Sequence, residues 1–203
     1  RFAIQAVKRA AGVITVSETS LADIRRTLPL GGVPVSVVHN GLPPARQLTP
    51  DQQEALLGSL SIETPFLLYV GSYEPRKNVL GAVEAYRRAS ELSPLPPLVL
   101  VVEPDSGHKQ RMLEAVAGSS VVDRLVWRHS VRDDQLAALD LNATTFIYPS
   151  LYEGFGFTPL QALSYGVPTI AGAAGAAPEV LGDAAVLIDP ADTDALAAAI
   201  VRL

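Results

Sequence analysis

Two short segments of this sequence carry residue types suited to holding an anion. The first, Gly71-Ser72-Tyr73-Glu74-Pro75-Arg76-Lys77-Asn78, follows the apolar run Phe66-Leu67-Leu68-Tyr69-Val70. An apolar helical pattern begins at Val79, so Arg76 and Lys77 stand beside the positive end of a helix dipole. Two cations in that position repel one another until an anion joins them. Arginine offers a fork of donors matched to phosphate oxygens, and lysine a compact, mobile charge. Without a ligand the same residues read as a solvated basic loop. Gly71 is expected to let the backbone turn at the strand end, and Asn78 to cap the helix.

The second segment runs Ser150-Leu151-Tyr152-Glu153-Gly154-Phe155-Gly156-Phe157-Thr158-Pro159-Leu160-Gln161, after the run Thr145-Phe146-Ile147-Tyr148. Gly154 and Gly156 permit close backbone approach and unusual dihedrals, and a glycine loop that opens a helix is a preformed phosphate site. Thr158 as N-cap with Pro159 at the first helical position is the expected start of that helix. A glycine pair alone is common in strand–helix turns; the basic loop is what gives it weight. Glu153 would be repelled by phosphates, so its natural partners are hydroxyls, such as those of a sugar joined to a diphosphate. The other reading has Glu153 accepting loop amides. Gln161 either completes a capping box with Thr158 or contacts a ligand.

Something must bring these segments together. Short apolar, β-branched runs recur at 13–16, 35–38, 66–70, 98–102, 125–127, 145–148, 168–171 and 185–188, with amphipathic stretches between them. Runs without in/out alternation belong to parallel strands covered on both faces. Repeated strand–helix order implies an α/β fold, a Rossmann-like doubly wound parallel sheet with right-handed crossovers. In such sheets ligands sit beyond the carboxyl ends of the strands. A Pro-rich break near Pro43-Pro44 divides the chain. Residues 1–48 then read as the last part of a preceding Rossmann-like domain plus linker. Residues 49–203 read as a six-stranded domain, truncated in its C-terminal helix. Both termini fall inside helical patterns, so both ends look cut.

Of 203 residues 48% are hydrophobic, enough for a packed core and against disorder. The net charge is −5 with basic residues scattered, which argues against nucleic acid as a partner. The absence of cysteine excludes disulfides, thiolate metal sites and a cysteine nucleophile, and fits a reducing cytosol. No apolar run reaches the roughly 18 residues that span a bilayer, and no signal-peptide layout is present. A cytoplasmic protein is expected.

The two segments, together with Ala162-Leu163-Ser164-Tyr165-Gly166-Val167-Pro168, resemble the signatures of family-4 (group 1) retaining glycosyltransferases of GT-B fold. Val16-Ser17-Glu18, Asn40-Gly41 and Pro178-Glu179-Val180-Leu181-Gly182-Asp183 extend the resemblance over nearly the whole chain, in the family's order. It implies the C-terminal, donor-binding half of a GT-B fold with a remnant of the N-terminal half. Arg76 and Lys77 would hold the donor diphosphate. Glu153, the first glutamate of a Glu-x7-Glu motif, would contact the donor sugar, and the amides of Gly154, Phe155, Gly156 and Phe157 would serve sugar and phosphates. The loop Arg128-His129-Ser130-Val131 lies where the family contacts the base, although His129 could equally be an ordinary loop residue.

In the family the second glutamate binds ribose; here Gln161 replaces it, without the charge-assisted strength of a carboxylate. A second departure, Val102-Glu103-Pro104-Asp105, has no functional account. The activity implied is retaining transfer of a hexose, with a lean to GDP-mannose, to an unknown acceptor. No metal or cofactor is implied beyond the nucleoside diphosphate sugar itself. The expected partners are that donor and the missing N-terminal domain, through which the protein could touch the inner face of a membrane. The fragment alone is expected to be silent. In the full enzyme, Arg76→Ala or Lys77→Ala is expected to lower turnover far more than stability. One alternative is a non-catalytic nucleotide-binding module derived from such an enzyme. A dinucleotide-dependent oxidoreductase is disfavoured, because G-x-G-x-x-G is missing after the first full strand.

Overall fold

The apolar runs form strands and the stretches between them helices, in the order the pattern implies. The computed structural model of the chain describes residues 2–103 and 106–203. The first segment comprises α1 (Phe2–Arg9), β1 (Val13–Thr15), α2 (Glu18–Thr27) and β2 (Val35–Val37), with β1 and β2 paired in parallel as a separate two-stranded sheet. Ser17 starts α2: its backbone is extended, and its hydroxyl accepts the Ser20 N–H at 3.0 Å. The next helix, α3 (Pro50–Ser59), opens on a reciprocal capping box. Thr49 Oγ1 accepts from Gln52 N at 3.3 Å, and Gln52 Oε1 accepts from Thr49 N at 2.9 Å. Pro50 occupies the first turn, where its missing N–H has no helical partner to lose.

Among the described residues the main sheet has six strands: β3 (Leu67–Gly71), β4 (Leu98–Val102), β5 (Leu125–Arg128), β6 (Thr145–Tyr148), β7 (Thr169–Gly172) and β8 (Val186–Ile188). All neighbours pair in parallel. The connecting helices are α4 (Val79–Leu92), α5 (Ser106–Ala115), α6 (Asp133–Asn142), α7 (Phe157–Ser164) and α8 (Ala177–Leu181), and α9 (Thr193–Arg202) follows β8. Successive strand residues feed opposite cores. Leu67, Tyr69, Leu98 and Leu100 pack with Val83, Tyr86, Leu196 and Ile200 on one face. Phe66, Leu68, Val99 and Phe146 pack with Leu57, Leu139 and Ala162 on the other. Burial of both faces is why the strand runs show no polar alternation. No helix among the described residues is long and apolar enough to cross a membrane.

The strand order is β5-β4-β3-β6-β7-β8. The chain moves outward from β3 through β4 to β5, then returns to the other side of β3 and continues through β6 to β8. Connections therefore leave β3 and β6 in opposite directions, and a crevice opens above their carboxyl ends. The two segments singled out for their chemistry are the loops that follow these two strands.

Candidate functional site

Arg76 and Lys77 sit in a short 3-10 turn, Pro75–Lys77, that links β3 to α4. The turn is tied to the loop after β6: the Arg76 carbonyl accepts from Leu151 N at 2.7 Å and lies 2.9 Å from Ser150 Oγ, whose one proton it shares with Glu153 Oε1. Tyr69 Oη donates to the Lys77 carbonyl at 3.1 Å. Gly71 is the last residue of β3 rather than a turn, and its hydrogen makes room for that phenol, since a Cβ there would lie 2.7 Å from Tyr69 Oη. Asn78 stands at the N-cap position of α4 as expected, but its side chain makes no capping bond. It adopts a left-handed conformation (φ 51°), and its amide donates to the carbonyls of Pro149 (3.1 Å) and Pro190 (2.8 Å). Three loops are joined by that one side chain. Gly81 leaves it space, because a Cβ at 81 would lie 2.5 Å from Asn78 Oδ1.

The anion that joins the two cations is Glu153, which is 7% exposed. Its Oε1 accepts from Lys77 Nζ (2.8 Å), Ser150 Oγ (2.8 Å) and Tyr148 Oη (3.0 Å), and its Oε2 faces Arg76 Nη1 at 3.3 Å. Lys77 Nζ also bonds Tyr148 Oη at 2.5 Å. The carboxylate thus takes side-chain donors, not loop amides. Burial pulls the Lys77 ammonium down, but its bonds to Glu153 and Tyr148 outweigh that and leave its pKa above the ordinary lysine value. Burial also raises the Tyr148 phenol, against the lowering effect of the Lys77 bond. Lys77 stays charged and Tyr148 stays protonated near neutrality. Tyr148, Ser150 and Tyr69 belong to this knot although the sequence reading did not select them. The Tyr-x-Ser at a strand end beside a glycine loop was the only signal for Tyr148 and Ser150, and Tyr69 lies within the apolar run before the basic loop.

The helix start differs from the expected one. Gly156 takes φ 99° as the residue before α7, so the helix begins at Phe157 and Thr158 lies inside its first turn. A left-handed glycine can enter the helix two residues earlier than a threonine cap would. The expected capping box is therefore absent. Gln161 instead donates from Nε2 to Asp140 Oδ2 at 3.0 Å. Phe155 is buried at 7% exposure between His39 (ring centroids 6.2 Å apart) and Phe157 (5.2 Å), whereas Phe157 is exposed. His129 Nδ1 pairs with the Val102 carbonyl at 2.6 Å, and Val131 packs against the core shared with α3 and α6. In the unexplained stretch Val102-Glu103-Pro104-Asp105, Pro104 and Asp105 lie outside the described residues. No group of three or more His, Asp or Glu among the described residues is placed to hold a metal ion.

Residues far apart in sequence clasp the glycine loop. The Gly154 carbonyl accepts from Ser17 Oγ (2.7 Å), the N-cap of α2, and from Ser20 Oγ (3.1 Å) in its first turn, and the Tyr152 hydroxyl donates to Asp23. The Glu179 carboxylate accepts from the backbone amides of Glu18 (2.8 Å) and Thr19 (3.1 Å) and meets His39 Nε2 at 2.8 Å. Burial pushes Glu179 up, but bonds from Glu18, His39 and Thr19 outweigh it and hold it below the usual glutamate value. A carboxylate lowered on folding stabilises fully above its unfolded pKa, and that contribution is lost as pH falls through the folded one. Glu179→Gln should therefore cost about 1 kcal/mol near pH 7, as for a lost helix cap. Thermal melts of the two proteins should converge as pH drops below the ordinary glutamate range. A gap that persists unchanged at acid pH would show that the charge does not matter.

The comparisons with known proteins agree with this architecture. Residues 57–203 match the family model described as glycosyl transferases group 1. An O-antigen chain mannosyltransferase B from Escherichia coli is 36% identical over 146 residues, covering 68% of this chain and 36% of that protein. The sucrose-phosphate synthase structure from Thermosynechococcus elongatus superposes with TM-score 0.79 at 26% identity, over 97% of this chain and 49% of that one. HepE from Anabaena, solved in complex with UDP and glucose, has the same fold at TM-score 0.84 and 21% identity, over 100% of this chain and 56% of that one. The chain spans about a third to a half of the length of these relatives. With the family model covering most of its length, and with a parallel α/β sheet of the GT-B glycosyltransferase kind, the chain belongs to the glycosyl transferases group 1 family.

Proposed function

We propose that this chain forms the donor site of a hexosyltransferase that draws on a nucleoside diphosphate sugar and retains the anomeric configuration. The observation that carries the reading is the meeting of Arg76 and Lys77 with Glu153, three residues before the helix start at Gly156, in the crevice between β3 and β6. Breaking the bond from anomeric carbon to phosphate oxygen builds negative charge on the departing diphosphate. Arg76 keeps guanidinium N–H groups beyond those bonded to Glu74 and Glu153, and Lys77 has a third N–H besides the two in its bonds to Glu153 and Tyr148. The free amides of the first turn of α7 add to them. Fixed donors of this kind act without reorganising, and each contributes roughly 10²–10³ in rate. Glu153, already accepting from two hydroxyls, is suited to take further ones from a sugar.

A mannosyl donor is supported by the name of the E. coli relative, and a UDP-linked one by the contents of the HepE structure. We place the acceptor in a further domain, supported by the share of the relatives' length that this chain spans. The test is thermal unfolding of the chain with saturating UDP, GDP, ADP and NAD. Ligand at 100 times its dissociation constant adds about 2.7 kcal/mol, or roughly 5–10 °C for a chain of this size. One nucleoside diphosphate should raise the midpoint, NAD should not, and Arg76→Ala should remove most of the rise. No response to any nucleoside diphosphate would sink the reading.

A further inference from the structure

A buried acid stands behind Gln161. Asp140, near the end of α6, is 2% exposed, and its Oδ2 accepts the Gln161 Nε2–H at 3.0 Å. No other hydrogen bond or ion pair reaches this carboxylate among the described residues. An ionised carboxylate can only accept, whereas a carboxamide has an acceptor oxygen on one side and a donor nitrogen on the other. The carboxylate therefore removes the ambiguity of the amide. Nε2 turns inward, and Oε1 is left for whatever approaches from outside. Gln161 lies about one helical turn from the start of α7, roughly 6 Å along the axis, which is about the step from a bound diphosphate to the ribose attached to it. It borders a cavity of about 260 Å³ whose other walls include Leu42, Pro43, Arg46, Asp133, Leu136 and Tyr165.

We infer that Asp140 is a positioning residue for the ribose end of the donor, holding the Gln161 amide so that its carbonyl oxygen accepts from a ribose hydroxyl. This inference rests on the donor-site reading above. It turns the replacement of glutamate by Gln161 into a two-residue arrangement, with the negative charge one helix further back. A glutamate at 161 would put two carboxylates within 3 Å or so of each other; glutamine and aspartate form a hydrogen bond instead.

Burial raises the Asp140 pKa to about 6, against the lowering effect of the Gln161 bond. Other charged or titratable groups on the surrounding elements are Arg132, Asp133 and Asp134 at the far end of α6, Asp51 and Glu54 on α3, Arg46, Tyr148 and Tyr165. None shares a hydrogen bond or ion pair with Asp140. Above that pKa the carboxylate is ionised and the amide has one orientation. Below it a protonated Asp140 can donate to Oε1, and the amide can turn its nitrogen outward.

The experiment measures, by calorimetry, the affinity of the chain for UDP and 2′-deoxy-UDP, and for GDP and 2′-deoxy-GDP, between pH 5 and 8. The ratio of ribo to deoxy affinity cancels the titration of the phosphates. For whichever base binds, the ratio should be about tenfold at pH 8, the scale of one well-placed hydrogen bond, and should fall towards one at pH 5. Asp140→Asn keeps the shape but not the one-way acceptor. Its ratio should be several-fold lower and flat with pH, with the deoxy affinity unchanged. Gln161→Ala, which leaves Asp140 in place, should bring the ratio to one and serves if the Asp140 variant does not fold. A ratio and pH profile unaltered in either variant overturns the inference. So does an unaltered chain that binds both sugar forms equally, which leaves the donor site standing. An unaltered chain that binds no nucleotide overturns both.

Discussion

Lys77→Met is expected to lower the melting temperature of this chain by roughly 5–10 °C, and adding Glu153→Gln is expected to recover most of the loss. The Lys77 and Glu153 side chains are only 14% and 10% exposed. Removing one partner of a buried pair typically costs about 3–5 kcal/mol, because the other charge stays behind without compensation. Here Arg76 still faces the second oxygen at 3.3 Å, so about 2–3 kcal/mol is the fitting size. For a domain of this length each kcal/mol moves the midpoint by roughly 2–4 °C. Neutralising both partners removes the uncompensated charge while Ser150 and Tyr148 keep hydrogen-bonding the amide oxygen. Thermal melts of the single and double variants check this. A single variant that melts like the parent would mean that Glu153 finds water or another donor at no cost.

The contrast with Arg76 is part of the prediction. Its side chain is 42% exposed, and its partner Glu74 is 55% exposed. Exposed pairs of that kind contribute little, because water and salt screen them. Arg76→Ala should therefore leave the melting temperature nearly unchanged and still remove roughly 10²–10³ of the turnover of the full enzyme. That a substitution lowers turnover far more than stability is therefore expected to be true of Arg76 and less so of Lys77. The difference arises because Lys77 also neutralises a buried acid.

Gly175→Ala is expected to cost roughly 2–4 kcal/mol and to displace Glu153 from the cation pair. Gly175 has φ +60°, and a Cβ there would lie 2.4 Å from the Glu153 carbonyl oxygen and 2.6 Å from its nitrogen. Both obstacles are backbone atoms, so no side chain can rotate out of the way. The carbonyl concerned also accepts the Ala176 N–H at 2.8 Å, so yielding breaks that bond. Gly166→Ala provides the control. It follows α7 with φ +79° and nothing within 4 Å of a Cβ, and should show only the left-handed penalty of about 1–2 kcal/mol. Denaturant melts of the two variants read the collision as a difference. Equal losses would mean that the loop shifts freely, and Glu153 would then not be held where the donor reading requires it.

Much of this molecule was determined by the sequence alone. Burial on both faces imposes unbroken β-branched runs, and all eight runs became parallel strands with boundaries moved by a residue or so. The Ser17 and Thr49 helix starts depend on atoms three residues apart, so local chemistry suffices for them. The Arg-Lys loop, the glycine loop and the family motifs are contiguous, and the resemblance they carry agrees with the family match. The local rules failed in two places. The Asn78 side chain left the cap to bridge Pro149 and Pro190, 71 and 112 residues away, and the left-handed Gly156 started α7 two residues early, which took Gln161 out of capping position and left its amide to Asp140 on another helix. Only the strand order placed β3 beside β6, and so made Glu153 the partner of a lysine 76 residues earlier. Only tertiary packing brought Glu179 to the first turn of α2. Periodicity and capping are energies between near neighbours and can be read from spacing. The choice of partner for a buried charge is a free energy of the whole fold, and it exists only once the sheet has set which loops share a crevice.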